Sequence, residues 1–208
     1  MYKRQGKGSQ LQAASLKGAA LSAQQLQVEL SGSDLSLTLQ DGALHGWQFN
    51  GPLNLSSARL EQDNLKPQGW RLQGQATVAG SAGTLRGKLS NDSELQLDLA
   101  ASLDENHDLQ LKATLGELFL RSGNPLAKTL VQWPELLDLN SGRLNADASL
   151  ALAAGSNAPS LDLNLTGKGL GGIYDRTELS GVDTLLQFQL ARQRFELYVQ
   201  QLKIQQAN

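Results

Sequence analysis

Few residues in this chain have types and spacing suited to chemistry. Gly167-Lys168-Gly169-Leu170-Gly171-Gly172 has the G-x-G-x-x-G spacing that lets a backbone turn tightly against a dinucleotide pyrophosphate, and it follows an alternating segment at 161–165. That chemistry also needs a helix opening at the last glycine, because the helix N-terminus holds the pyrophosphate. The residues that follow, Ile173-Tyr174-Asp175-Arg176-Thr177-Glu178-Leu179-Ser180-Gly181, have no helical periodicity. A glycine-rich bend or bulge in a curved sheet is therefore expected here. His45 and His107 are the only histidines, whereas zinc or acid–base chemistry wants two or three convergent ligands. His107 lies in the polar stretch Asp104-Glu105-Asn106-His107-Asp108 and reads as a solvated turn tip; His45, beside Gly46-Trp47, reads as a strand-end packing residue. With no cysteine, disulfides, thiolate metal sites and cysteine nucleophiles are excluded. No G-x-S-x-G, H-E-x-x-H or P-loop occurs, and the carboxylates are scattered through turns and polar faces. The expectation is a protein with no catalytic residues, no metal and no cofactor.

The elements that would position any site are strands. Lys and Arg number 18 against 20 Asp and Glu, a net charge of -2, so no bulk charge draws the chain to nucleic acid. The uncharged run 148–161 is broken by Gly155, Ser156, Asn157 and Pro159, and no stretch of about 18 apolar residues occurs, so no helical membrane span is expected; nor does a signal peptide open the chain. Alternation of apolar and polar residues puts every apolar side chain on one face of a strand. It occurs at Leu26-Gln27-Val28-Glu29-Leu30, Leu35-Ser36-Leu37-Thr38-Leu39, Leu95-Gln96-Leu97-Asp98-Leu99 and Leu109-Gln110-Leu111-Lys112-Ala113. It returns over 144–152, 161–165, 186–190 and 195–199. Turn formers at 31–34, 50–52, 90–93, 104–106, 140–142 and 155–159 separate these runs, the signature of an antiparallel meander. One segment departs from it: Asn124 as N-cap, Pro125 at the first helical position and Leu126, Leu130 and Trp133 at helical spacing predict a short helix over 124–133, stopped by Pro134. The fold class expected is all-β, one continuous unit over 6–208.

Both ends look accidental. Met1-Tyr2-Lys3-Arg4-Gln5 matches a translation of ATG TAT AAG AGA CAG, the tail of a common transposase sequencing adapter, so residues 1–5 read as an assembly scar. The chain stops at Gln205-Gln206-Ala207-Asn208 directly after an alternating run, as an internal piece of a longer protein would.

The apolar faces are the remaining feature. Roughly forty residues are Leu, while Val and Ile together number fewer than ten, although strands ordinarily favour the β-branched pair. Either the leucines form the closed core of a sandwich or barrel, or one apolar face stays uncovered by protein and lines a trough for acyl chains. A greasy floor of flexible γ-branched side chains favours the trough. Aromatic residues at 5% do not supply the two girdles of an outer-membrane barrel.

Three segments carry a resemblance: Gly142-Arg143-Leu144-Asn145-Ala146-Asp147-Ala148-Ser149-Leu150; then Leu161-Asp162-Leu163-Asn164-Leu165-Thr166-Gly167-Lys168-Gly169-Leu170-Gly171-Gly172-Ile173-Tyr174; then Leu179-Ser180-Gly181-Val182. Together with Trp133-Pro134 and the helix before it, they are similar to the YdbH family, of the AsmA-like group that includes TamB and YhdP, and they cover roughly 116–208; residues 6–115 match only as leucine-alternating meander. The resemblance implies an elongated, curved sheet forming an open hydrophobic groove, or half-pipe, that carries phospholipids across the periplasm of a Gram-negative bacterium. It also implies an inner-membrane anchor by an N-terminal helix and an outer-membrane lipoprotein as partner at the C-terminal end, neither within this chain. The family's label of dicarboxylate transport has no counterpart, since no cluster of Arg or Lys that would hold two carboxylates is visible. The groove-face residues expected to contact acyl chains are Leu95, Leu97, Leu99, Leu109, Leu111, Leu144, Leu150, Leu152, Leu161, Leu163, Leu165, Leu186, Phe188, Leu190, Phe195, Leu197 and Val199. The other partner is the remainder of the parent chain; no nucleic acid is expected.

Phe195-Glu196-Leu197-Tyr198-Val199 and Leu202-Lys203-Ile204 form the stretch richest in β-propensity, and an unpaired edge there would template another chain. The isolated fragment is expected to self-associate through this edge or to need detergent, and the next stretch of parent sequence to relieve it. Light scattering at high concentration checks this; a clean monomer without detergent contradicts it.

Overall fold

Leucine alternating with a polar residue becomes extended strand along most of the chain. The structure is a computed structural model that describes residues 2–5, 9–18, 21–40, 43–156, 158–190 and 194–206. Its first strands are β1 Tyr2–Gln5, β2 Gln10–Lys17, β3 Ser22–Glu29, β4 Asp34–Gln40 and β5 Ala43–Gln62. These lead to β6 Leu65–Ala79, β7 Ala82–Asn91, β8 Gln96–Leu103 and β9 Leu109–Phe119. A 3-10 turn, Leu120–Ser122, and helix α1, Pro125–Thr129, interrupt the strands before β10 Leu137–Leu152, β11 Ser160–Tyr174, β12 Thr177–Gln189 and β13 Arg194–Gln206.

All thirteen described strands join one open antiparallel sheet, and from β5 to β13 each pairs with its neighbour in sequence. On the other side of β5, β3 lies along residues 54–61 and β4 along residues 43–50, end to end as one interrupted strand. Next to them, β2 pairs with β3 and β1 with β4, so residues 2–5 enter the sheet. Two expected turns are not turns. Asn50-Gly51-Pro52 lies within β5, where a Cβ on Gly51 would stand 2.5 Å from Ser33 Cα: the glycine serves close approach to the β3–β4 junction, not reversal. Asn140-Ser141-Gly142 lies within β10 as a bulge, with register shifts at Leu139/Ser141 and Ser141/Arg143 and Gly142 at φ 89°. Beside it, the run from Gly167 to Gly172 bulges against β12, as expected, and continues as strand with no helix. Such bulges bend strands and sharpen twist, and here they lie side by side across β10, β11 and β12.

The helix is shorter than its pattern. Asn124 caps it, its Oδ1 accepting the N–H groups of Leu126 and Ala127 at 3.1 Å each, and Pro125 opens it. It ends well before Pro134 because the β5–β6 hairpin takes over the backbone bonding: Leu130 is extended and bridges Leu65, and the Val131 N–H donates to the Asn64 carbonyl at 3.0 Å. Lys66 Nζ adds a 2.8 Å bond to the Ala127 carbonyl, and Asn91 Nδ2 donates to the buried Thr129 Oγ1 at 2.8 Å. The segment 120–136 is thereby strapped onto the sheet. Its own Leu120 packs onto Leu139, Leu144 and Leu170 beneath it, and Trp70, Leu95 and Leu115 form a second buried cluster, with Leu126 touching both.

Closed packing is thus local to the strap. Leu120→Ala, at a fully buried side chain, is expected to cost about 2–5 kcal/mol, and Leu111→Ala, at a partly exposed one, about 1 kcal/mol or less. Urea unfolding of both variants checks this; equal large losses would mean that Leu111 also sits in a closed core.

Candidate functional site

Directly opposed residues in an antiparallel pair share a face, so the registers trace each face across the sheet. One row runs Ala76, Leu85, Ala101, Leu111, Leu150, Leu161 from β6 to β11. The next runs Leu99, Ala113, Ala148, Leu163, Phe188 and Phe195 from β8 to β13. A third joins Leu115, Ala146, Leu165, Leu186 and Leu197. Every member is apolar. The opposite face carries Lys88, Asp98, Thr114, Asp147, Asn164, Gln187 and Glu196 in one row, tied by contacts such as Thr114 to Asp147 at 2.9 Å, Gln187 to Asn164 at 3.1 Å and Lys88 to Asp98 at 3.4 Å.

Along the apolar rows away from the strap, burial is incomplete. Leu99, Leu109, Leu111, Leu150, Leu152, Leu161, Leu163 and Phe188 are each partly buried, as is Leu165 nearer the strap. Cross-strand neighbours shield their flanks, while among the described residues no strand or helix other than the strapped segment packs over this face. Leu97 and Leu186 are also partly buried; at the β12–β13 edge Leu190, Leu197 and Val199 are exposed by 41%, 54% and 51%. The backbone of Phe195 pairs with Phe188, and its side chain lies outside the described residues. Leu95 and Leu144 are a correction: at 4% and 3% exposure they underlie the strap and are covered by protein, not open. Alternation places them on the correct face; the strap that covers them is a tertiary contact.

The face extends further than the alternating runs indicate. Phe49, Leu53 and Leu55 on β5, Leu72 and Val78 on β6, and Leu85 and Leu89 on β7 share it by register. Gly74, Gly83 and Gly87 occupy same-face positions among them and break the leucine pattern. The polar face holds a concavity lined by Arg121, Arg143 and Lys168, three cations from separate segments that the sequence does not show as a cluster.

His45 is exposed on β5, and His107 is exposed at a turn tip with φ 68°. No group of three His, Cys, Asp or Glu side chains suited to a metal occurs among the described residues. Among the described residues the rows of the open strip are apolar throughout, so the interaction this surface offers is with apolar matter. A family model described as YdbH-like, intermembrane phospholipid transport protein YdbH, matches residues 3–208. The chain belongs to the YdbH-like family. The match takes in residues 3–115, where the sequence shows only a leucine-alternating meander, as well as the segments rich in glycine. This is a lipid-transport family, not an enzyme family, and no helix among the described residues is long and apolar enough to cross a membrane. No curated protein and no solved structure matches the chain.

The absence of native cysteine makes single-cysteine variants of this YdbH-like chain unambiguous. Leu111→Cys and Leu163→Cys are expected to react with a maleimide in the folded protein, and Leu139→Cys and Leu170→Cys to stay protected until urea unfolds it. Protection at all four positions would mean that the whole apolar face is covered.

Proposed function

We propose that the uncovered apolar face is the conducting surface: a segment of a periplasmic bridge along which phospholipid acyl chains pass between the inner and outer membranes. The observation that carries this reading is the apolar register that continues from β5 to β13, with no second layer over the strip among the described residues. Strands lie about 4.8 Å apart, so nine strands span roughly 38 Å, more than the ~15 Å depth of one bilayer leaflet's hydrocarbon. An acyl chain lying there regains about 0.8 kcal/mol for each CH₂ removed from water, and the apolar rows give it little reason to stop at any one strand. Leucine suits such a floor: branched at Cγ rather than Cβ, it keeps a mobile tip where Val and Ile are stiff at χ1. The strap serves as a side wall, running over one end of β6 to β12 in the direction of travel. In this reading the parent chain is anchored in the inner membrane by an N-terminal helix and meets an outer-membrane lipoprotein at its C-terminal end. The lipid-contact residues are the sequence-derived set without Leu95 and Leu144.

Photo-crosslinking side chains at Leu111 and Leu163 in the full-length parent are expected to capture phospholipid, and those at Asp98 and Asp162 are not. Equal labelling of both pairs contradicts the proposal. Leu163→Glu places a charge among acyl chains, where desolvation is costly, and is expected to stop transport while circular dichroism stays unchanged. Loss of fold in that variant would indicate a closed core instead.

A further inference from the structure

The polar face holds a site that acyl-chain conduction does not use. Arg121, Arg143 and Lys168 line a concavity of about 620 Å³ together with Phe119. Arg143 and Lys168 are register partners on β10 and β11, and on its other side Arg143 pairs with Phe119, which is 58% exposed. Like charges directly opposite on one face repel. The nearby carboxylates relieve this only in part. Glu117 Oε1 meets Arg143 Nη1 at 3.1 Å, with both side chains about half exposed, while Asp183 Oδ1 accepts the Gly169 N–H at 2.7 Å. Arg121 and Lys168 form no ion pair among the described residues. The bulge glycines form the floor: a Cβ on Gly142 would stand 2.5 Å from the Gly169 carbonyl oxygen, so the backbones approach closely, and above Gly169 nothing lies within 4 Å.

We propose that this concavity binds a phosphate-type oxyanion, with the phosphodiester of an anionic phospholipid headgroup as its source. An oxyanion between Arg143 and Lys168 turns their repulsion into shared coordination. A guanidinium fork with an ammonium matches the several acceptor oxygens of a phosphate, and the exposed Phe119 ring offers an apolar contact to the adjoining glycerol. The site lies on the face opposite the acyl strip, so it stands or falls independently of conduction.

The test is titration of the full chain with sn-glycerol 3-phosphate and with inorganic phosphate at low salt, followed by flotation with phosphatidylcholine vesicles with and without phosphatidylglycerol. Saturable phosphate binding is expected. Arg121→Gln and Lys168→Gln are each expected to weaken it about tenfold, the scale of one lost charge-assisted hydrogen bond. Lys168→Arg should retain it, and Lys112→Gln, elsewhere on the polar face, should leave it unchanged. Phosphatidylglycerol-dependent flotation that falls in the same two variants supports the headgroup source; phosphate binding without that dependence overturns it in favour of a soluble phosphate. Absence of saturable binding, an equal loss in Lys112→Gln, or capture of an acidic peptide in preference to phosphate overturns the site. Leu163→Glu is expected to titrate normally with glycerol phosphate, which separates failure of this site from failure of the conduit.

Discussion

Antiparallel register is the constraint from which the rest of this molecule follows. Side chains alternate with period two, so a slip of one residue in any pairing would carry that strand's leucines to the polar face and its charges among the acyl-like rows. The rows hold register across the strands from β6 to β11 in one case and from β8 to β13 in another, through several bulges. Bulges and glycines absorb the bending, and cross-strand contacts such as Thr114 to Asp147 and Gln187 to Asn164 secure the polar side. A two-faced sheet results, continuous enough to act as one surface.

A surface of this kind conflicts with ordinary folding energetics, because an uncovered leucine strip leaves apolar area in contact with water. The strap resolves part of the conflict. It closes a core over Trp70, Leu95, Leu115, Leu144 and Leu170 and is tied to two hairpin ends through Asn64, Lys66 and Asn91. Stability is concentrated along that end of the strands, and the rest of the face stays available. The chain belongs to a lipid-transport family, and its structure leaves an apolar face that no other described element covers.

Much of this was legible in the residues. Alternation gave the strands and the faces of Leu111, Leu150 and Leu163; Asn124-Pro125 gave the start of the helix. The glycine-rich run 167–172 read correctly as a bulge because no helical pattern follows it. Other features depend on contacts distant in sequence. Gly51 and Gly142 carry turn signals but serve close backbone approach within long strands, and Gly74 and Gly87 hide the apolar face of β6 and β7. The coverage of Leu95 and Leu144, and the convergence of Arg121, Arg143 and Lys168, arise from elements brought together by register and bulge, for which spacing along the chain gives no signal.

The most direct measurement of the central claim is methyl NMR of leucine-labelled protein in the presence of a phospholipid with a spin label midway along one acyl chain. Paramagnetic broadening is predicted for the methyls of Leu111, Leu150, Leu161 and Leu163, with those of Leu120 in the strap and Leu139 and Leu170 beneath it unaffected. Equal broadening in both groups, or none at the first, would contradict an open acyl-binding face.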